Sequence, residues 1–270
     1  MATALSDRVG HRVHPVSLLH STRIDPAKLA GEPARIFEPF LKARRKQHGT
    51  NSFLVVPLFF GSSAAIREYL PQRVRALRRS WPQLELRIAP CLVDPDDAGD
   101  TGVAEILAQL VREKIAAARL DRPAVVLVDH GTPRQAVNRV RDFLADQLRA
   151  QLGDDAALVK AASMERREGD EYAFNEPLLE SLLGGEGFDR NVVVSLMFLS
   201  PGRHAEPEGD IARICKQAER NYPGLRSHLS DLFTTHPGAV DLLARRFSQG
   251  LAADPIGEES NPDGVTLYAG

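Results

Sequence analysis

The chain has 270 residues, 43% of them apolar, and a formal charge of -2. That is enough for one large domain or two ordinary ones around a real core. It lacks the broad basic surface that nucleic acid or an anionic membrane would require, so neither is expected as a partner. Cys91 and Cys215 stand far apart without a Cys-x-x-Cys spacing, which argues against a disulfide framework or a thiolate metal site and for the cytoplasm. No run approaches the ~20 apolar residues of a membrane span, and Met1 to Asp7 carries no signal-peptide core.

Taken in order, His11 and His14 fall in a loose start, and His20 ends the apolar run Leu18-Leu19. Glu32-Pro33 opens a helix. Arg44-Arg45-Lys46 and the stretch Arg75 to Arg79 read as solvated helix faces, because no aromatics alternate with them to stack on bases. Phe53 to Phe60 reads as a strand followed by Gly61-Ser62-Ser63. Leu84 to Pro90 reads as another, and Val103 to Ala118 as a helix.

The second half opens on the apolar run Ala124 to Asp129, a buried strand, followed by His130-Gly131-Thr132-Pro133. Thr132 is the expected N-cap of a helix with Pro133 at its first position and Gln135 completing a capping box. Val137, Val140, Phe143, Leu144, Leu148 and Leu152 continue at helical spacing. Ala156 to Met164 then predicts a strand ending near Glu165, and Arg166 to Asn175 a loop. A helix starts at Glu176-Pro177 and stops at Gly184-Gly185. The strand Val192 to Leu199 leads into Ser200-Pro201-Gly202-Arg203-His204. A helix over Asp210 to Arg220, a short strand over Leu225 to Leu229 and a last helix with Val240, Leu243 and Phe247 complete the pattern. Cys215 reads as a buried apolar side chain of its helix, and His236 as a helix-entry residue.

Strand and helix alternate throughout, which predicts an α/β fold of parallel sheets flanked by helices. The two halves repeat one plan: Phe53 to Ser63 parallels Val192 to Gly202, and Glu32-Pro33 parallels Glu176-Pro177. The expected organisation is an N-terminal half over 1–120, a C-terminal half over 121–252, and a loose tail, rich in Gly, Pro and acidic residues, over 253–270. His130 and His204 both follow buried strands, where ligands of open parallel sheets gather. Two neutral imidazoles facing one another there suit a divalent transition metal.

The motifs His130-Gly131-Thr132, Pro201-Gly202-Arg203-His204 and Thr235-His236-Pro237, in this order, resemble the sirohydrochlorin chelatases. These class II, lyase-type enzymes insert cobalt or ferrous iron into the tetrapyrrole precursor of siroheme or cobalamin. The resemblance covers about 122–250 well and about 16–118 more weakly. It implies two similar chelatase-like domains facing each other across a cleft. His130 and His204 would hold the incoming metal and accept pyrrole protons, and Glu165 would assist as ligand or proton relay. The metal, Co2+ or Fe2+, is a substrate, and no organic cofactor is implied. Departures from the family pattern are Asp129 in place of a small residue, Ser195 in place of a proline, and Ile66 at the first-half counterpart of His204. His20 could match either His130 or the neighbourhood of Glu165. The first half therefore reads as a catalytically reduced partner, and the chain as a monomer or weak oligomer.

The chemistry suits these residue types. Neutral imidazole is both a ligand and a base near neutral pH, and a site without thiolates leaves open coordination positions for handover. A substrate rich in carboxylates needs local cations, for which Arg134, Arg203 and Arg166 are the candidates. Gly131 and Gly202 would let the ring approach the backbone. The competing readings are a metal or tetrapyrrole binding protein of the same fold without turnover, and an unrelated α/β enzyme using His130 as a general base. No Gly-rich phosphate loop is present to suggest a nucleotide enzyme.

Overall fold

The structure, a computed structural model, describes residues 1–18 and 34–257. The chain forms two compact units, Met1–Cys91 with Leu243–Gly270, and Leu92–Leu242. His20, in the segment 19–33, lies outside the described residues, as does 258–270 of the expected tail.

The first unit contains helices α1 (Ala2–Val9) and α2 (Phe37–His48), strand β1 (Ser52–Val55), helix α3 (Leu70–Arg78) and strand β2 (Glu85–Ile88). β1 and β2 pair in parallel, from Ser52 opposite Glu85 to Val55 opposite Ile88. Phe37, Leu41, Leu70, Val74, Leu77, Trp81, Leu84 and Leu86 form the core beside them. Trp81 is buried because its indole N–H has a partner, the Asn51 side-chain oxygen at 2.7 Å. The strand expected to reach Phe60 stops at Val55, two residues before Pro57, which has no N–H to give to a ladder. Residues 253–257 do not hang loose: Arg87 donates to the Ala253 carbonyl at 3.0 Å, and Ile256 donates to that of Leu86 at 2.8 Å.

The second unit contains α4 (Gly102–Ala118), β3 (Ala124–Asp129), α5 (Gln135–Leu152), β4 (Leu158–Ser163), α6 (Leu179–Leu182), β5 (Asn191–Leu196), α7 (Asp210–Asn221) and β6 (Arg226–Leu229). Its four strands run parallel in the order β4-β3-β5-β6. Val126, Val128, Val192 and Val194 share one core with Leu179 and Leu182 of α6 and Ile211 and Cys215 of α7. Val125, Leu127 and Val193 are buried on the opposite side, the side of α4 and α5. Burial on both faces explains why β3 and β5 read as apolar runs, interrupted in β5 by the buried Ser195. A last helix, α8 (Gly238–Ala252), spans the point where the chain passes back to the first unit.

Two differences from the sequence reading have physical causes. α4, read as the last element of the first half, packs on α5 and β5 of the second unit, so the first boundary falls after Cys91 instead of near 121. α5 starts at Gln135 with Arg134 at its N-cap, so Thr132 is not the cap. The Asn175 side chain bonds both the Thr132 N–H and its carbonyl, at 2.9 Å each, and keeps it out of the helix. No helix among the described residues is long and apolar enough to cross a membrane.

Candidate active site

The strand order places the site. From β3 the chain crosses to β4 on one side and later to β5 on the other, so the carboxyl ends of β3 and β5 flank a topological switch point, where open α/β sheets bind ligands. His130 directly follows β3, and His204 lies in the loop after β5. Folding brings these two imidazoles, distant in the chain, to a ring-centroid distance of 4.7 Å, with planes inclined at 73°. Glu165, just past β4, puts Oε1 3.5 Å from His130 Nε2. All three are open to solvent, with side-chain exposures of 47% for His130, 31% for His204 and 63% for Glu165.

Hydrogen bonding selects the tautomer of each ring. His130 Nδ1 lies 3.2 Å from the Gly131 carbonyl oxygen, which can only accept, so Nδ1 carries the proton. His204 Nδ1 lies 2.6 Å from Asp210 Oδ2. Hydrogen bonds from Arg213 and from His204 hold the Asp210 carboxyl below its usual range, so it is ionised and accepts. In its neutral form each ring would present an unprotonated Nε2 as ligand or base, with its other nitrogen anchored as in metal-binding histidines. Among the described residues, no group of three or more His, Cys, Asp or Glu side chains forms a metal cage. The arrangement is an open pair of imidazoles with a carboxylate beside one of them.

Local backbone geometry explains the turn at His130. Gly131 has φ of 93°, and a Cβ there would sit 1.9 Å from the Glu165 carbonyl oxygen. Only glycine accepts both the angle and the approach. The close approach fixes the turn after β3 against the turn after β4, with Met164 N–H donating to the Asp129 carbonyl at 2.8 Å and Glu165 N–H to that of His130 at 3.2 Å. Asp129 makes no hydrogen bond to the His130 ring. Its Oδ1 accepts from Gly131 N–H at 3.1 Å and Ser163 Oγ–H at 2.6 Å, and burial pushes its carboxyl above the ordinary value.

The remaining candidates are placed differently. Gly202 is exposed, and a Cβ there would meet nothing within 4 Å, so no close approach requires glycine at that position. Arg203 is 81% exposed and 3.5 Å from Asp210, and Arg134 is exposed at the N-cap of α5. Arg166 is engaged with Glu176 at 2.7 Å and with the Gly169 carbonyl at 2.9 Å. Sequence reasoning missed Asp210. A carboxylate at the start of the helix after the His204 loop was a detectable signal, but it equally suits an ordinary helix start.

Residues 124–250 match the CbiX family model. No curated protein sequence matches the chain. Among solved structures, SirB from Bacillus subtilis with Fe3+ is similar at a TM-score of 0.66 and 15% identity, over 93% of this chain and 87% of that one. The sirohydrochlorin chelatase SirB from Bacillus subtilis subspecies spizizenii, in complex with cobalt, is similar at 0.58 and 17% identity, over 95% and 91%. A multi-domain Deinococcus radiodurans protein with structural similarity to chelatases is similar at 0.54 and 18% identity, over 92% of this chain and 50% of that one. At these identities the structural likeness establishes the fold.

Proposed function

We propose that this chain, whose residues 124–250 match the CbiX family model, inserts a divalent metal, Co2+ or Fe2+, into a sirohydrochlorin-type tetrapyrrole. The observation that carries this reading is the pair of imidazoles 4.7 Å apart at the switch point, each with Nδ1 anchored.

Insertion replaces two pyrrole N–H protons by one divalent ion, so the site must hold the ion weakly and accept two protons. His130 and His204 present Nε2 lone pairs that can do either, and solvent-exposed rings release a proton to water afterwards. Glu165, 3.5 Å from His130 Nε2, takes a proton onward from that ring. Arg134 and Arg203, both exposed, draw in the substrate's peripheral carboxylates. Gly202, with nothing within 4 Å of where a Cβ would stand, leaves room for the macrocycle beside the backbone, whereas the space beside Gly131 is taken by the Glu165 carbonyl. In this reading the C-terminal half carries the chemistry and the N-terminal half is its reduced counterpart. The chain acts in the cytosol without an organic cofactor, as a monomer or weak oligomer.

The test is His204→Ala. The exchange removes one imidazole from a solvent-open loop, so the fold should persist while insertion of Co2+ into sirohydrochlorin, followed by absorbance, falls to background. Unchanged insertion by this variant refutes the assignment.

A further inference from the structure

Beneath the His130 turn lies a buried polar cluster that metal insertion does not itself use. Arg141, in the second turn of α5, is 2% exposed, and every nitrogen of its guanidinium is engaged. Nε and Nη2 donate to Asp142 Oδ1 at 2.9 and 2.8 Å. Nη1 donates to Ser163 Oγ at 2.5 Å and to the Asn175 carbonyl at 2.9 Å, and Nη2 also to the Phe174 carbonyl at 3.3 Å. Ser163 Oγ–H passes the contact on to Asp129 Oδ1, which in turn receives Gly131 N–H. Asn175, fully buried, holds Thr132 on both sides through its Oδ1 and Nδ2, and its Nδ2 also donates to the Tyr172 carbonyl at 3.0 Å.

The cluster thus grips Asp129, Gly131 and Thr132, the residues on either side of His130, while the His130 ring itself projects into solvent. A buried guanidinium is costly to desolvate; here Nε and Nη2 are held by Asp142 on its own helix, while Nη1 and Nη2 also reach Ser163 and the Phe174 and Asn175 carbonyls, which back the His130 turn. We infer that Arg141, Ser163 and Asn175 are positioning residues that set the His130 ring against His204 at the spacing needed to share a divalent metal ion. They touch neither substrate nor metal. The inference rests on the proposed role of the two histidines as metal holders.

Two variants of the full chain test it. Asn175→Asp keeps the shape but turns an acidic oxygen toward the Thr132 and Tyr172 carbonyls, and Ser163→Ala cuts the link from Arg141 to Asp129 with the loss of one atom. Ser163→Ala decides the matter if the buried carboxylate prevents folding. The first readout is the nuclear Overhauser contact between the two imidazole rings in metal-free protein, which a role confined to stability would leave intact in the folded molecule. The second is Co2+ affinity by titration with the metal alone. We expect the ring contact to be lost and Co2+ affinity to fall about 10- to 100-fold, the range seen when partners of metal ligands are removed. Folded variants that keep either the ring contact or wild-type Co2+ affinity overturn the inference. Wild-type protein that fails to bind or insert Co2+ defeats the chelatase reading instead, and the ring contact still decides the positioning role.

Discussion

Replacing Gly131 by alanine tests the backbone argument on which the His130 turn depends. The new methyl would lie 1.9 Å from the Glu165 carbonyl oxygen and 3.0 Å from its carbonyl carbon, so the turns after β3 and β4 must part by more than an ångström. The residue would also keep φ of 93°, a left-handed conformation that costs an L-residue about 1–2 kcal/mol. Overpacking against a backbone that cannot rotate away adds about 1–3 kcal/mol. The combined loss is roughly 2–5 kcal/mol, a melting temperature lower by roughly 4–20 °C for a chain of this size. Gly202→Ala is the matched control: it meets nothing within 4 Å and should change stability by less than about 0.5 kcal/mol. Thermal and urea unfolding of both variants, beside Co2+ insertion into sirohydrochlorin, provide the assay. A Gly131→Ala protein as stable as Gly202→Ala, with insertion intact, would refute the reasoning.

Asp210→Asn leaves His204 with a neutral partner, and Co2+ affinity and insertion rate should each drop about 10- to 100-fold; titration and absorbance kinetics on the folded variant check this, and wild-type values would contradict it. Burial pushes the Cys215 thiol from 9.0 up to about 11. The unfolded chain therefore releases this proton first as pH rises, and stability present below pH 9 is lost on the way to 11, at about 1.4 kcal/mol per pH unit. Cys215→Ala should flatten that decline in urea unfolding followed from about pH 8 to 11, whereas parallel curves for the two proteins would contradict the assignment.

Much of the second unit was legible because its two central strands, β3 and β5, are buried on both faces. Such strands read as apolar runs, and the end of β3 locates His130 directly, whereas Glu165 lies past the edge strand β4 and His204 well beyond Leu196, the end of β5. The helices α5 and α7 were legible from periodicity, but the start of α5 was not. It is decided by Asn175, 43 positions beyond Thr132, and no local cap preference encodes a bond of that range. The same holds for Arg141, whose place in the helix suggests a solvated charge until β4 and the turn before α6 close over it. The strand after Ser52 looked longer than it is because the apolar run outlasts the ladder once Pro57 intervenes. Membership of α4 in the second unit was hidden for another reason. Periodicity shows that a helix has an apolar face but not which sheet receives it.

The central claim is that two anchored imidazoles make this protein a catalyst of metal insertion and not a carrier. It is tested most directly by mixing the protein, at a small fraction of the substrate concentration, with sirohydrochlorin and Co2+ and following the macrocycle's absorbance. The account predicts many equivalents of metallated product per protein molecule, faster than the protein-free reaction. An absorbance change that stops at one equivalent per protein molecule would contradict it.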